Sequence, residues 1–338
     1  AAGACALIGS IQLFYWKYVS GDWIVYSYND EGFSWLKPHV TDAFFSFKAG
    51  WLIYTPLMWF SIIGFIFLHR KNASLFWTSL IFTAIAMYLV TAWDNWWYGG
   101  GLGLRAMIQY YPVLAITLAA SFEWMSKRLF SKLVLLLVLP VFVYFNLWLT
   151  YNAHVGKQFH AGQMTKAYFW KTVGKLKEDK MDLKLLDTDE YFEGERKKVK
   201  LIYENDFEKD TSDWACTDWP TNGQKSLCFD QSNGFVNVAL PEVLETAQWL
   251  RLSGNFRTPK REWAYWKMAQ FVIKIYYKGK MKNRFIRVNR FLVDHHEKPI
   301  YLDVKLPNAK IDSLEWGIMN NFQGLPLIVD DVKLEVFE

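Results

Sequence analysis

The chain has 338 residues, with 38 Lys or Arg against 33 Asp or Glu for a formal charge of +5, and 52% of it is hydrophobic. That mild charge, with no basic stripe at groove-reading spacing, excludes a nucleic-acid binder. Aromatics reach 18% while the mean hydropathy is zero, so a very apolar part must be balanced by a polar one, and the length allows about two domains.

The chain opens AAGACALIGSIQLFYW. No basic region precedes its apolar run, so it does not read as a signal peptide. The run before Gln12 is shorter than the ~20 residues a spanning helix needs, and the expectation is the end of a transmembrane helix that begins upstream of Ala1. Next comes FYWKYVSGDWIVYSYNDEGFSWLKPHVTDAFFSFKAGWLIYTP, aromatic throughout, with Asp22, Asp30, Glu31, His39 and Asp42 interspersed. Two readings stand for it: an anchor lying in the membrane–water boundary, or one wall of a site for a substrate with a lipid tail and a polar head.

Four uncharged or nearly uncharged apolar runs follow, at 50–68, 73–93, 106–122 and 133–151. Each is expected to cross a ~30 Å hydrocarbon layer. The short loops HRKN and SKRLFSK carry Arg70, Lys71, Lys127, Arg128 and Lys132 without an acid. By the positive-inside rule they are cytoplasmic, which puts the Asp94 loop and everything after Asn152 on the exterior.

Between the second and third runs stands WDNWWYGGGLGLRAMIQYYP. Gly99, Gly100, Gly101 and Gly103 allow close backbone approach to a ligand. Arg105, at the expected N-terminus of the next helix, offers a planar fork for a phosphate; the alternative is an arginine snorkelling to lipid headgroups. Trp93, Asp94, Trp96 and Trp97, with Glu31 and His39 from the first exterior segment, complete the candidate substrate-binding set.

After His154 the composition turns polar. Residues 155–200 read as a charged connector, with FWKTVGKLKEDK as an amphipathic surface helix. From 201 onward short alternating runs such as WLRLSGNFR, QFVIKIYYKG and LEWGIMN, separated by Gly, Pro and Asn, predict an antiparallel β-sandwich over 201–338. Cys216 and Cys228, twelve positions apart, suit a disulfide in an oxidising compartment.

The phrases IQLFYWKYVSGDWIVYSYNDEGFSWLKPH, KAGWLIYTPL and WWYGGGLGLRAMIQYYP resemble bacterial multi-spanning glycosyltransferases that use lipid-phosphate sugars, the dolichyl-phosphate-mannose-protein mannosyltransferase-like class. The resemblance implies a polytopic helical membrane domain over 1–154 (four complete spans plus a truncated first helix), a bacterial inner-membrane location with the C-terminal domain in the periplasm, and a catalytic acid upstream of Ala1. It implies a polyprenyl-phosphate sugar donor and an exterior glycan, lipid or protein acceptor, with no resident cofactor. The C-terminal part is similar to carbohydrate-binding jelly rolls through NDFE and LIVDDVKLEVFE, which implies a structural calcium at Glu208 with Asp330 or Asp331. It also implies sugar stacking on Trp214, Trp219, Trp263 or Trp266. The rival expectation is a non-catalytic membrane subunit, with or without complex partners, whose exterior sandwich docks a protein or glycan.

Overall fold

The computed structural model describes residues 2–25, 31–217, 220, 223–240, 247–262, 264–292, 296–322 and 324–338. Two compact units divide it, Ala1–Thr150 and Tyr151–Glu338.

The first unit is helical: α1 (Ala2–Ser20), α2 (Val40–Phe45), α3 (Trp51–Tyr54), α4 (Met58–Lys71), α5 (Ala73–Ala92), α6 (Tyr111–Ser126) and α7 (Leu129–Tyr151), with a 3-10 segment Arg105–Tyr110 ahead of α6. Prolines set these lengths. Pro56 lies in the break between α3 and α4, where its fixed φ and missing N–H interrupt the helix; Pro112 sits in the first turn of α6, where it is tolerated. The run 50–68 therefore yields a helix of only 14 residues, and 106–122 one of 16. At 1.5 Å per residue both fall short of a ~30 Å layer.

The expected fold class, a polytopic α-helical membrane domain followed by a sandwich, is corrected by these lengths. Among the described residues two helices are long and apolar enough to cross a membrane, Ala73–Ala92 and Leu129–Gly156. Four were expected. Neither is a core helix, because only 33% of the first apolar window and 11% of the second is buried.

α4 and α6 pack closely. A Cβ on Gly64 would overlap the Thr117 carbonyl, so only glycine permits this approach. Ser61 Oγ donates to the Leu114 carbonyl at 2.7 Å, and Ser121 Oγ to that of Phe60 at 2.7 Å. Small and hydroxylated residues at a helix contact are the means by which helices associate where apolar burial offers no gain.

The second unit is built on strands: β1 (Lys200–Asn205), β2 (Ala215–Cys216), β3 (Ser226–Phe229), β4 (Ser232–Val238), β5 (Trp249–Arg257), β6 (Gln270–Tyr277), β7 (Lys280–Arg287), β8 (Lys298–Lys305), β9 (Ser313–Asn320) and β10 (Leu327–Phe337). They form two antiparallel sheets. One runs β2-β3-β10-β5-β8, with β1 also on β10; the other runs β4-β9-β6-β7. The long β10 holds β3 along its first half and β1 along its second, separated by a bulge between Asp330 and Lys333 where Asp331 takes a positive φ of 47°. Alternate residues of both sheets, among them Leu250, Leu252, Phe256, Phe271, Ile273, Leu314, Trp316 and Val329, fill one core between them. Cys216 and Cys228 form a disulfide across β2 and β3, with Cα atoms 5.9 Å apart.

The expected amphipathic helix is replaced by a short α8 (Lys166–Thr172) and a 3-10 segment Lys180–Leu186. Tyr168, Phe169, Leu183, Leu185 and Leu186 are buried. The apolar residues of this segment are thus packing groups, and it is no solvated connector.

Candidate functional site

Strand alternation sends every second side chain to one side of a sheet. With Phe271, Ile273, Ile275, Leu314, Trp316 and Ile318 in the core, their neighbours face outward from the four-stranded sheet. The register aligns them in rows: Asn233, Met319, Gln270 and Arg287; then Phe235, Gly317, Val272 and Phe285; then Asn237, Glu315, Lys274 and Asn283. Tyr276 follows on β6.

Gly317 shapes the centre of this face. A Cβ there would overlap the Phe235 ring and the Gly234 carbonyl, so its absence lets the ring lie over β9. Lys274 Nζ sits 3.5 Å from the centroid of that ring, a cation–π contact. Glu315 Oε2 lies 3.8 Å from the same ammonium and accepts from the Tyr276 hydroxyl at 3.4 Å. Desolvation first, and then the neighbouring Glu315 carboxylate, push the Tyr276 pKa up, so this phenol is a neutral donor at ordinary pH.

Arg287 closes one end. Its Nε donates to the Tyr265 carbonyl at 2.9 Å, and its guanidinium lies 5.4 Å from the Tyr265 ring and 5.2 Å from Phe285. The loop after β5 is thereby fixed beside the face. Trp266, edge-on to Tyr265 at 5.3 Å, stays 62% exposed.

The other sheet is different. Residues 184–196 cover its outer face: Phe192 packs edge-on against Trp249 and Phe337 at 5.7 and 5.0 Å. Arg251 grips Asp303 with two hydrogen bonds of 2.6 and 2.9 Å, and Arg196 reaches Glu335 at 2.6 Å. Asp187, with a fully buried carboxylate, receives Arg290 at 2.9 and 3.0 Å and also Arg287. The same segment also reaches β7, where Asp187 holds Arg287 and Glu190 holds Lys282 and Arg284, while the rest of the four-stranded face presents rings, amides and a charged pair.

The residues singled out from sequence in the first unit come together. Asp94 accepts the Gly32 N–H at 3.1 Å and the Ser34 hydroxyl at 2.6 Å; Asn95 donates to Glu31 at 3.2 Å. Trp93 meets Phe33 edge-on at 4.8 Å, His39 stacks on Trp96 at 6.4 Å, and Lys48 lies 3.2 Å over Trp97. Gly99 and Gly103 have positive φ of 69° and 61°. Arg105 opens the 3-10 segment, six residues before α6. It is exposed, and its Nη1 donates to the Gly100 carbonyl at 3.3 Å with its stem over Gly101. The arginine closes its own loop.

In the second unit Trp214 packs on Phe229 at 5.6 Å against the core, and Trp266 is exposed; Trp219, Trp263 and Asp30 lie outside the described residues. Glu208 and Asp331 do line one cavity of about 570 Å³ with Glu204, Asp206 and Lys333. Its carboxylates are already engaged: Glu208 accepts the N–H groups of Gln224 and Lys225 at 2.7 and 3.1 Å, Glu204 pairs with Lys333 at 2.6 Å, and Asp331 accepts from Asn255 at 3.2 Å. This does not fit a cage of six or more oxygens. Among the described residues no group of three or more His, Cys, Asp and Glu side chains is placed to hold a metal ion.

No family model matches the sequence, and no curated protein matches it. The sandwich region is similar to solved carbohydrate-binding structures. One is a family 16 carbohydrate-binding module (12% identity, 40% of this chain and 99% of that chain, TM-score 0.31). Another is the CBM22-1 xylan-binding domain from Paenibacillus barcinonensis Xyn10C (10% identity, 42% and 97%, TM-score 0.29). A third is the xylan-binding module CBM15 (9% identity, 41% and 95%, TM-score 0.28). The resemblance to lipid-phosphate-sugar glycosyltransferases is corrected here. Among the described residues two helices are long and apolar enough to cross a membrane, where the resemblance implied four complete spans.

The side chains on the open face (Phe235, Lys274, Tyr276, Asn283, Phe285 and Glu315) escaped the sequence reading. Alternation in QFVIKIYY marks 272, 274 and 276 as one side of a strand, but nothing local tells which sheet is later covered.

Proposed function

We propose that the second unit is a glycan-binding module of a non-catalytic membrane protein. The observation that carries this reading is the open face of β4-β9-β6-β7. There the row Asn237, Glu315, Lys274 and Asn283 lies beside Phe235, Phe285 and Tyr276, with exposed Trp266 at one end. Aromatic rings stack on the apolar C–H faces of pyranoses, and amides, ammonium and carboxylate bond their hydroxyls. Lys274 is offset by Glu315 and Arg287 by Asp187, which favours a neutral glycan over a polyanion.

The membrane part of the proposal rests on α5 and α7. Their exposed side chains include Ile81, Ile85, Leu136, Leu137 and Val141, an apolar surface too extensive to leave in water. The sandwich is placed on the exterior side of that membrane. The Cys216–Cys228 disulfide suits that oxidising side.

A glycan array probed with the detergent-purified chain tests the binding role. Retention on neutral polysaccharides or oligosaccharides is expected, with Trp266→Ala weakening it roughly tenfold through the lost stacking. Absence of retention on every glycan, or a Trp266→Ala chain that binds as well, would overturn it.

A further inference from the structure

α4, α5 and α6 enclose a groove of about 580 Å³. Its walls are Leu68, Leu75, Ala115, Ile116, Ala119 and Ala120, and its rim holds Lys71, Asn72 and Glu123. The rim is the cationic end of the helical unit. Lys71 and Lys127 both bond the one Glu123 carboxylate, Lys127 at 2.8 Å, and the two ammoniums remain 63% and 68% exposed. Arg70 in the last turn of α4 and Lys132 in the first turn of α7 are also exposed. Arg128 lies 4.7 Å over Trp124, which stacks on Phe67 at 4.3 Å. Asn72 spends its side-chain oxygen capping α5 through the Leu75 N–H at 3.0 Å. An apolar trough that ends in five cations answered by a single carboxylate matches an amphiphile with an anionic head.

We infer that this groove holds an anionic phospholipid, with one acyl chain along Ala115, Ala119 and Leu75 and the phosphate on Lys71 and Lys127. The site rests on the membrane placement of α5 and α7 proposed above. Apolar contact orients the tail, and the cations choose the head: juxtamembrane lysines attract anionic lipid at about tenfold or less apiece. Lys71–Glu123 is an exposed pair, whose loss costs the fold little.

The test uses the full chain in nanodiscs of equimolar dioleoyl phosphatidylglycerol and dioleoyl phosphatidylcholine, with retained lipid counted by native mass spectrometry. The glycerol lipid should be retained roughly tenfold over the choline lipid. Lys71→Gln with Lys127→Gln should erase that preference, and Ala119→Phe, which fills the trough, should lower retention of both. Equal retention by the unaltered chain, or a preference that survives the double lysine change, overturns the lipid site. Flotation with neutral vesicles separates the two ideas: a chain that floats without selective retention removes only the lipid site, and one that never floats removes the membrane placement with it.

Discussion

Asp187→Ala should be the most damaging single change in the second unit. The Asp187 side chain is 0% exposed, and those of its partners Arg290 and Arg287 are 4% and 17% exposed. Deleting the carboxylate leaves a guanidinium buried without its counter-charge, at a cost of about 3–5 kcal/mol. For a unit of this size that is a fall in Tm of roughly 6–20 °C. The same change removes one tie of this segment to the edge of β7, where Asp187 also accepts the Arg287 N–H at 2.9 Å. Thermal unfolding of the detergent-purified chain, followed by near-ultraviolet circular dichroism, reads the loss. Adding Arg290→Met in the Asp187→Ala background should recover part of it, because an apolar side chain needs no partner there. A fall of less than about 1 kcal/mol, or a double variant worse than the single, would refute the reasoning.

Reduction of Cys216–Cys228, a twelve-residue separation, should cost about 2–3 kcal/mol, seen as a lower Tm with reductant and absent in Cys216→Ser. Glu190 titrates below the usual carboxylate value: burial pushes it up, but hydrogen bonds from Lys282 and Arg284, each at 2.8 Å, outweigh that. Its contribution is therefore complete above its unfolded pKa near 4.3 and lost as pH falls through the lower folded value; stability measured from pH 6 to 3 should decline at the acid end, less so in Glu190→Gln. Gly64→Ala should separate α4 from α6 and lower the Tm of the helical unit in detergent, whereas Gly9→Ala, with open space around it, should leave it unchanged.

Much of the strand pattern was legible because alternation is local. WLRLSGNFR is the full extent of β5, and QFVIKIYYKG and LEWGIMN contain β6 and most of β9. β2 and β3 were not, since each is short and part of their standing comes from the disulfide and from pairing with distant β10. The apolar runs were visible too, but Pro56 and Pro112 shorten the helices that form from them, and counting apolar residues overlooks that. In the first unit the Glu31, Asp94, His39 and Trp96 set was readable from aromatic and charge density, and the fold does join it. The open face was hidden. It depends on Phe192 and Arg196 packing on the other sheet, through contacts with Trp249, Phe337 and Glu335 more than 50 residues away in sequence.

Hydrogen exchange of the full chain, with and without a saturating oligosaccharide found on the array, tests the open face most directly. The account predicts slowed exchange in 233–237, 264–276, 281–287 and 313–319, with β1, β5 and β8 unchanged. Protection confined to β5 and β8, or no protection while the sugar is bound, would contradict it.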